Sequence, residues 1–243
     1  MDTDYKIVAR IMALCLNPVL EEQLTSYQCC YVPGKTILET VSVLRDGTAH
    51  AELTNNPICV LSLDFRHAFV RIYHHYISRI LTWYGISPLF IDPIHSLYEH
   101  ATASLQINGT LAGPIPILSA IVQGCPFRMA LSAVSVHPFL RTLQVTGVTF
   151  GRRGQRISVL AYVDDITQFL AQQEDIATVH QAIRTYERAT GAQLNPRKSK
   201  TLAFGGWSAP ITLLEIELCP QVKILGVCLN SPCMRQLKRV GPE

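Results

Sequence analysis

No stretch of the 243 residues reaches the roughly 18 uninterrupted apolar positions that a membrane span requires. The N-terminus, Met1-Asp-Thr-Asp-Tyr-Lys, lacks the basic-then-apolar layout of a secretory leader. The cysteines, Cys15, Cys29, Cys30, Cys59, Cys125, Cys219, Cys228 and Cys233, include no Cys-x-x-Cys pair and have no histidine at zinc-finger spacing. That excludes a disulfide frame and a structural zinc site, and leaves free thiols, several inside apolar runs, in a reducing compartment. The expected location is therefore intracellular, nucleus or cytoplasm, not secreted, with no membrane contact. Charge of either sign is scarce as well: 16% of residues are charged and the formal net charge is +3, too little for histone-like wrapping of nucleic acid. There is no internal repeat and no low-complexity segment.

What the chain does have is 48% hydrophobic residues, enough for a full core in one large domain or two lobes. Basic residues gather locally at Arg152, Arg153 and Arg156 and at Arg197, Lys198 and Lys200, compatible with a phosphate-bearing partner or with ordinary solvated loops. From Asp4, apolar residues at helical spacing predict two short helices broken at Pro18. Residues 27–36 predict an aromatic loop with a Pro-Gly turn, and a helix then runs to about Leu44. Residues 58–64, Ile-Cys-Val-Leu-Ser-Leu-Asp, read as a central strand buried on both faces and ended by Asp64. A helical stripe, Ile77, Ile80, Leu81 and Tyr84, stops at Gly85; Ser87-Pro88 then starts another helix, strained at Pro93.

Asn108-Gly109 between alternating residues predicts a hairpin. Gln123-Gly124-Cys125-Pro126 is a break before an apolar helix, about 128–144, that Pro138 should kink. An amphipathic helix follows from about Gln173 to Thr190, closed by Gly191, and short strands lie at 201–204 and 222–229. The intermixing of strands and helices is α+β.

Between these pieces lies Ile157 to Leu170, two apolar runs around Asp164-Asp165. The pattern reads as a β-hairpin with carboxylates at its tip. Adjacent carboxylates that repel and lose water are costly unless a cation neutralises them, so a metal is one reading and a solvated Asp-Asp turn is the other. With Asp64, three carboxylates at strand ends match the usual protein share of a two-metal phosphoryl-transfer site, since magnesium takes hard oxygen ligands. A hydrolytic triad is poorly supported: His74, His75, His95 and His100 lie on helix-like stretches with no nucleophile elbow nearby.

Leu63-Asp64-Phe65-Arg66-His67-Ala68-Phe69, Gln123-Gly124-Cys125-Pro126 and Ala161-Tyr162-Val163-Asp164-Asp165, in this order and spacing, closely resemble the reverse transcriptases of non-LTR (LINE-type) retrotransposons. Asp4-Tyr5-Lys6-Ile7, Tyr31-Val32-Pro33-Gly34-Lys35, Ile107-Asn108-Gly109, Leu194 to Ser199 and Lys223-Ile224-Leu225-Gly226 extend the likeness nearly end to end. The resemblance implies a right-hand polymerase palm with partial fingers, an antiparallel sheet bearing the carboxylates and helices packed on one face. Residues 1–56 would be fingers and 57–206 palm, with finger or palm elements inserted at 86–120. Residues 207–243 would close the palm with a primer-grip-like hairpin.

The resemblance further implies that Asp64, Asp164 and Asp165 hold two magnesium ions, with manganese as an alternative, and that Lys198 acts as a general acid. Phe65, Phe69, Gln123, Gly124 and Tyr162 would line the nucleotide site; Lys35 and Gly226 would meet nucleic acid. The implied partners are an RNA template, a DNA primer and deoxynucleoside triphosphates. The sequence identifies no protein partner. Departures from the family pattern are Val70, where an Asp is usual, Val122 for a basic residue, and Phe127-Arg128 for Leu-Ser. A basic stretch before Asp4 and a thumb after the last hairpin are expected to lie outside these residues. The rival expectations are an inactive remnant that at most binds RNA, and an unrelated metal-dependent phosphohydrolase.

Overall fold

The computed structural model describes residues 3–24, 28, 36–66, 70–99, 101–119, 124–143, 147–150, 155–208 and 215–231. The helices are α1 (Thr3–Gln23), α2 (Ile37–Thr54), α3 (His74–Trp83), α4 (Pro88–Glu99), α5 (Arg128–Thr142) and α6 (Asp175–Thr190). The strands are β1 (Ile58–Leu63), β2 (Phe65–Arg66), β3 (Thr102–Ile107), β4 (Thr110–Pro116), β5 (Val148–Phe150), β6 (Gln155–Ile157) and β7 (Val159–Tyr162). They continue with β8 (Asp165–Leu170), β9 (Gln193–Leu194), β10 (Lys200–Phe204), β11 (Glu217–Leu218), β12 (Gln221–Ile224) and β13 (Val227–Asn230).

β1 is apolar at nearly every position because it has neighbours on both edges and cover on both faces. It pairs antiparallel with β10 and with β8, within a five-stranded sheet ordered β11-β10-β1-β8-β7. The side-chain period of two sorts its residues: Cys59, Leu61 and Leu63 enter the core under α5 and α6, whereas Ile58 and Val60 meet Leu44 and Ala51 of α2 and Ile224 and Leu229 of the β12–β13 hairpin. The expected helix-bearing face is thus the α5–α6 face, and α2 with the last hairpin covers the other. A third apolar cluster joins α1, α3, α4 and the first half of α5.

Three prolines sit inside helices without ending them. Pro18 was expected to split α1, yet the helix is continuous: Pro18 faces solvent, Leu14, whose carbonyl loses its partner, is 54% exposed, and buried Leu16 and Leu20 hold the chain on either side. Pro93 likewise lies on the solvent side of α4, where the freed Leu89 carbonyl belongs to an exposed residue. Beside Pro138 the hydroxyl of Tyr76 donates to the Ser135 carbonyl at 3.0 Å.

α2 runs ten residues beyond its expected end, because Gly47 turns into the core as a small contact and the Thr48 hydroxyl bonds to the Leu44 carbonyl. The helix starts at Thr36, whose side chain accepts from the Glu39 N–H, and stops at Asn55 in the left-handed region. The β3–β4 hairpin turns at Asn108 and Gly109, both at positive φ as a type I′ turn needs, and every one of its strand residues is exposed.

Candidate active site

β7 and β8 meet at a two-residue tip, Val163-Asp164, closed by the Tyr162–Asp165 pair. Val163 takes φ 60°, which a β-branched residue adopts only under strain, and such strain concentrates at functional turns. The effect is to set Asp164 at the apex and Asp165 at the first position of β8. On the neighbouring strand Leu63 pairs with Ile166, so Asp64 lies one register step beyond, at the same end of the sheet as Asp165.

The backbone around Asp64 is fastened from the far end of the chain. Its N–H donates to the hydroxyl of Ser199, which is fully buried, at 3.0 Å, and its carbonyl accepts from the Asn195 N–H at 2.8 Å. Asn195 also caps a turn by accepting from the N–H groups of Lys198 and Ser199. Lys198 is therefore exposed on the turn that clamps Asp64. The next residue, Phe65, is buried edge-to-face against Phe139 (5.7 Å) and Tyr186 (5.4 Å), which stack on each other. Phe65 thus serves the core and meets the site only as a wall of a small cleft, shared with Val136, Val163, Asp164 and Tyr186.

Asp165 has its pKa raised, first by loss of hydration, then by the charges of Asp164 and Asp64. Its carboxyl reaches the surface, but the atoms beneath it strip part of its water. None of the three forms an ion pair among the described residues. Among those residues, too, no three His, Cys, Asp or Glu side chains already converge as a metal cage. The donor set nonetheless suits magnesium, a hard cation that keeps several waters and needs only one or two protein carboxylates.

Of the other expected site residues, Tyr162 is half-buried beside the tip, Gly124 takes φ 79° ahead of α5, and Gly226 takes φ 85° in the β12–β13 turn. Lys35, Phe69 and Gln123 lie outside the described residues. What the sequence reading missed is the Asn195–Ser199 clamp and the β2–β9 pairing beside it, whose two-residue strands are too short to show a period. The only available signal was the family-like Leu194-Asn195-Pro196-Arg197-Lys198-Ser199 segment itself. The described cysteines are free thiols, as expected, and no helix of the described residues is long and apolar enough to cross a membrane.

Comparison with known proteins agrees with this geometry. Residues 1–229 match the family described as reverse transcriptase (RNA-dependent DNA polymerase). The chain is 32% identical over 244 aligned residues to the transposon TX1 uncharacterized 149 kDa protein of Xenopus laevis, covering 95% of this chain and 18% of that protein. It is 30% identical over 160 residues to a retrovirus-related Pol polyprotein from the type-1 retrotransposable element R2 of Popillia japonica, covering 63% of this chain and 22% of the polyprotein. It therefore spans less than a quarter of either relative. Two solved telomerases share the fold: apo telomerase from Candida tropicalis truncated from its C-terminal domain (TM-score 0.56, 13% identity, 95% of this chain, 44% of that one), and Candida albicans telomerase in complex with a TWJ fragment of telomeric RNA (0.57, 11%, 95% and 37%). With its α+β palm-like fold and its acidic strand ends, the chain belongs to the reverse transcriptase family, on the LINE-type retrotransposon side.

Proposed function

We propose that this domain extends a primer 3′-hydroxyl with deoxynucleotides on an RNA template, by two-metal nucleotidyl transfer at Asp64, Asp164 and Asp165. The observation that carries the reading is the strand register, which puts Asp64 and Asp165 at the same end of the sheet with Asp164 at the adjoining tip. The Asp165 carboxyl there has its pKa raised by lost hydration first and then by the charges of Asp164 and Asp64. Asp64, Asp164 and Asp165 would hold magnesium or manganese, which when bound lowers the pKa of the attacking hydroxyl and neutralises charge on the triphosphate. The chain's own contribution is placement. The Ser199–Asp64 bond and the Phe65–Phe139–Tyr186 packing hold Asp64 still, and the strained Val163 aims the tip. Lys198, exposed on the adjoining turn, is the residue we assign to give a proton to the departing pyrophosphate. In this reading residues 1–56 act as fingers, 57–206 as palm, and 207–243 close the palm with the primer-grip hairpin at 223–229.

A second reading, RNA binding without catalysis, is favoured by the lack of a converged cage among the described residues. One assay separates the two: incorporation of a labelled deoxynucleotide into a DNA primer on an RNA template, with magnesium and again with chelator. Chelator-sensitive, template-directed addition supports the polymerase. RNA binding with no addition supports the second reading.

A further inference from the structure

Outside the acidic centre, a groove of about 520 Å³ runs between the β2–β9 pair and the end of α6. Arg66, Arg71, Arg184 and Arg188 line it against a single carboxylate, Glu187. That carboxylate is already engaged: one oxygen accepts from the Leu194 N–H at 2.8 Å and the other pairs with Arg184 at 3.4 Å. Arg66, Arg71 and Arg188 have no side-chain partner among the described residues. The chain's net charge is only +3, so this concentration is local and does not reflect a basic protein.

The groove is built into the fold as well as charged. Tyr73 donates its N–H to the Thr190 carbonyl at 3.0 Å, and its ring lies over Gly191 so closely that a Cβ there would meet it at 2.7 Å. Gly191, at φ +81°, therefore both ends α6 and admits the aromatic wall.

We propose that this groove binds the phosphodiester backbone of a single-stranded nucleic acid outside the primer–template duplex, entering or leaving the acidic centre. Arginine forks suit phosphate oxygens. Arg184 and Arg188 stand one turn apart on α6, about 5–6 Å between Cβ atoms, with Arg66 contributed by β2 and Arg71 by the segment before α3, so that four guanidinium forks line one groove, a set suited to successive phosphates. Arg66 is two residues past Asp64, so the groove starts beside the catalytic strand end. The concave shape does not fit a flat membrane surface. The proposal rests on the polymerase reading only for the identity of the strand.

The test is fluorescence anisotropy of a labelled single-stranded oligoribonucleotide over a salt series. The Arg66→Gln/Arg188→Gln chain should bind at least about tenfold more weakly, since hydrogen bonds to charged groups are lost. Its salt slope should flatten by about 1.4, the loss expected for two phosphate contacts to a single strand. Lys6→Gln/Arg10→Gln removes the same charge from α1 and should change neither, and the anisotropy is read without magnesium or deoxynucleotide, so that binding is scored whether or not extension is found. Melting curves confirm that these surface variants fold. Wild-type affinity and slope in the arginine variant would overturn the proposal, as would an equal loss in both double variants. Displacement of the RNA by inorganic pyrophosphate, or by polyglutamate, at matched charge concentration would also overturn it.

Discussion

The N–H of Asp64 donates to the buried hydroxyl of Ser199 at 3.0 Å, across 135 residues of sequence. One short-range bond thus ties the end of the central strand to the turn that carries Lys198. Replacing Ser199 by Ala leaves the part-buried Asp64 N–H without its partner and should cost about 1 kcal/mol of stability. In the proposed reaction the bond would position a metal-holding carboxylate, so kcat should fall while KM for the nucleotide stays near its wild-type value, and Ser199→Thr should recover part of the loss. Denaturant unfolding and steady-state primer extension measure the two effects.

Asp165 has the opposite relation to stability. Its folded-state pKa is raised, by lost hydration first and then by Asp164 and Asp64. The stability it contributes is therefore complete below the usual carboxylate pKa and is lost as pH rises through the raised value. At neutral pH the ionised group weakens the fold, so Asp165→Asn should melt higher than the wild type in metal-free buffer. The advantage should shrink in acid, and magnesium should stabilise the wild type more than the variant. Differential scanning calorimetry at several pH values, with and without magnesium, checks all three.

His137, buried in α5 with the Tyr84 hydroxyl on its Nδ1, resists protonation. Burial first, and then the charge of Arg141, lowers its pKa from 6.5 to about 4. The unfolded chain takes up that proton near 6.5, so stability is complete above that pH and falls by up to about 3 kcal/mol as pH drops to about 4. His137→Gln should remove this slope between the two values, whatever it does to stability at neutral pH. Urea unfolding across the range reads the slope.

Gly191→Ala places a methyl group 2.7 Å from the Tyr73 ring and 2.9 Å from the Arg71 carbonyl, at a φ of +81°. Both the clash and the backbone conformation oppose it, so the variant should lose more than about 1 kcal/mol. Since Tyr73 has to move, oligoribonucleotide affinity should fall with it. Thermal unfolding gives the first effect and anisotropy the second.

The strands flanking the acidic pair were legible because each is an apolar run between turns, and β1 because a strand buried on both faces has almost no polar position. Asp64 could be joined to the pair because it too ends an apolar, strand-like run, and the ordered family-like segments reinforced the link, since nothing local ties residues 64 and 164. The Ser199 clamp and the arginine groove were illegible for the same reason. Their members, at 64 and 199 or at 66, 71, 184 and 188, are brought together by β2–β9 pairing, which involves two residues per strand. Pro18 misled because its effect depends on which side of α1 faces water, and that is set by tertiary packing.

The central claim is that the acidic tip carries metal-dependent nucleotide addition. Single-turnover extension of a DNA primer on an RNA template, comparing the wild type with Asp164→Ala at saturating magnesium and deoxynucleotide, tests it most directly. The account predicts template-directed product from the wild type and a loss of about a hundred- to a thousandfold in the variant, the scale on which removing charge stabilisation from a transition state acts. Equal incorporation by the two chains, or none by either while both bind the template, would contradict it.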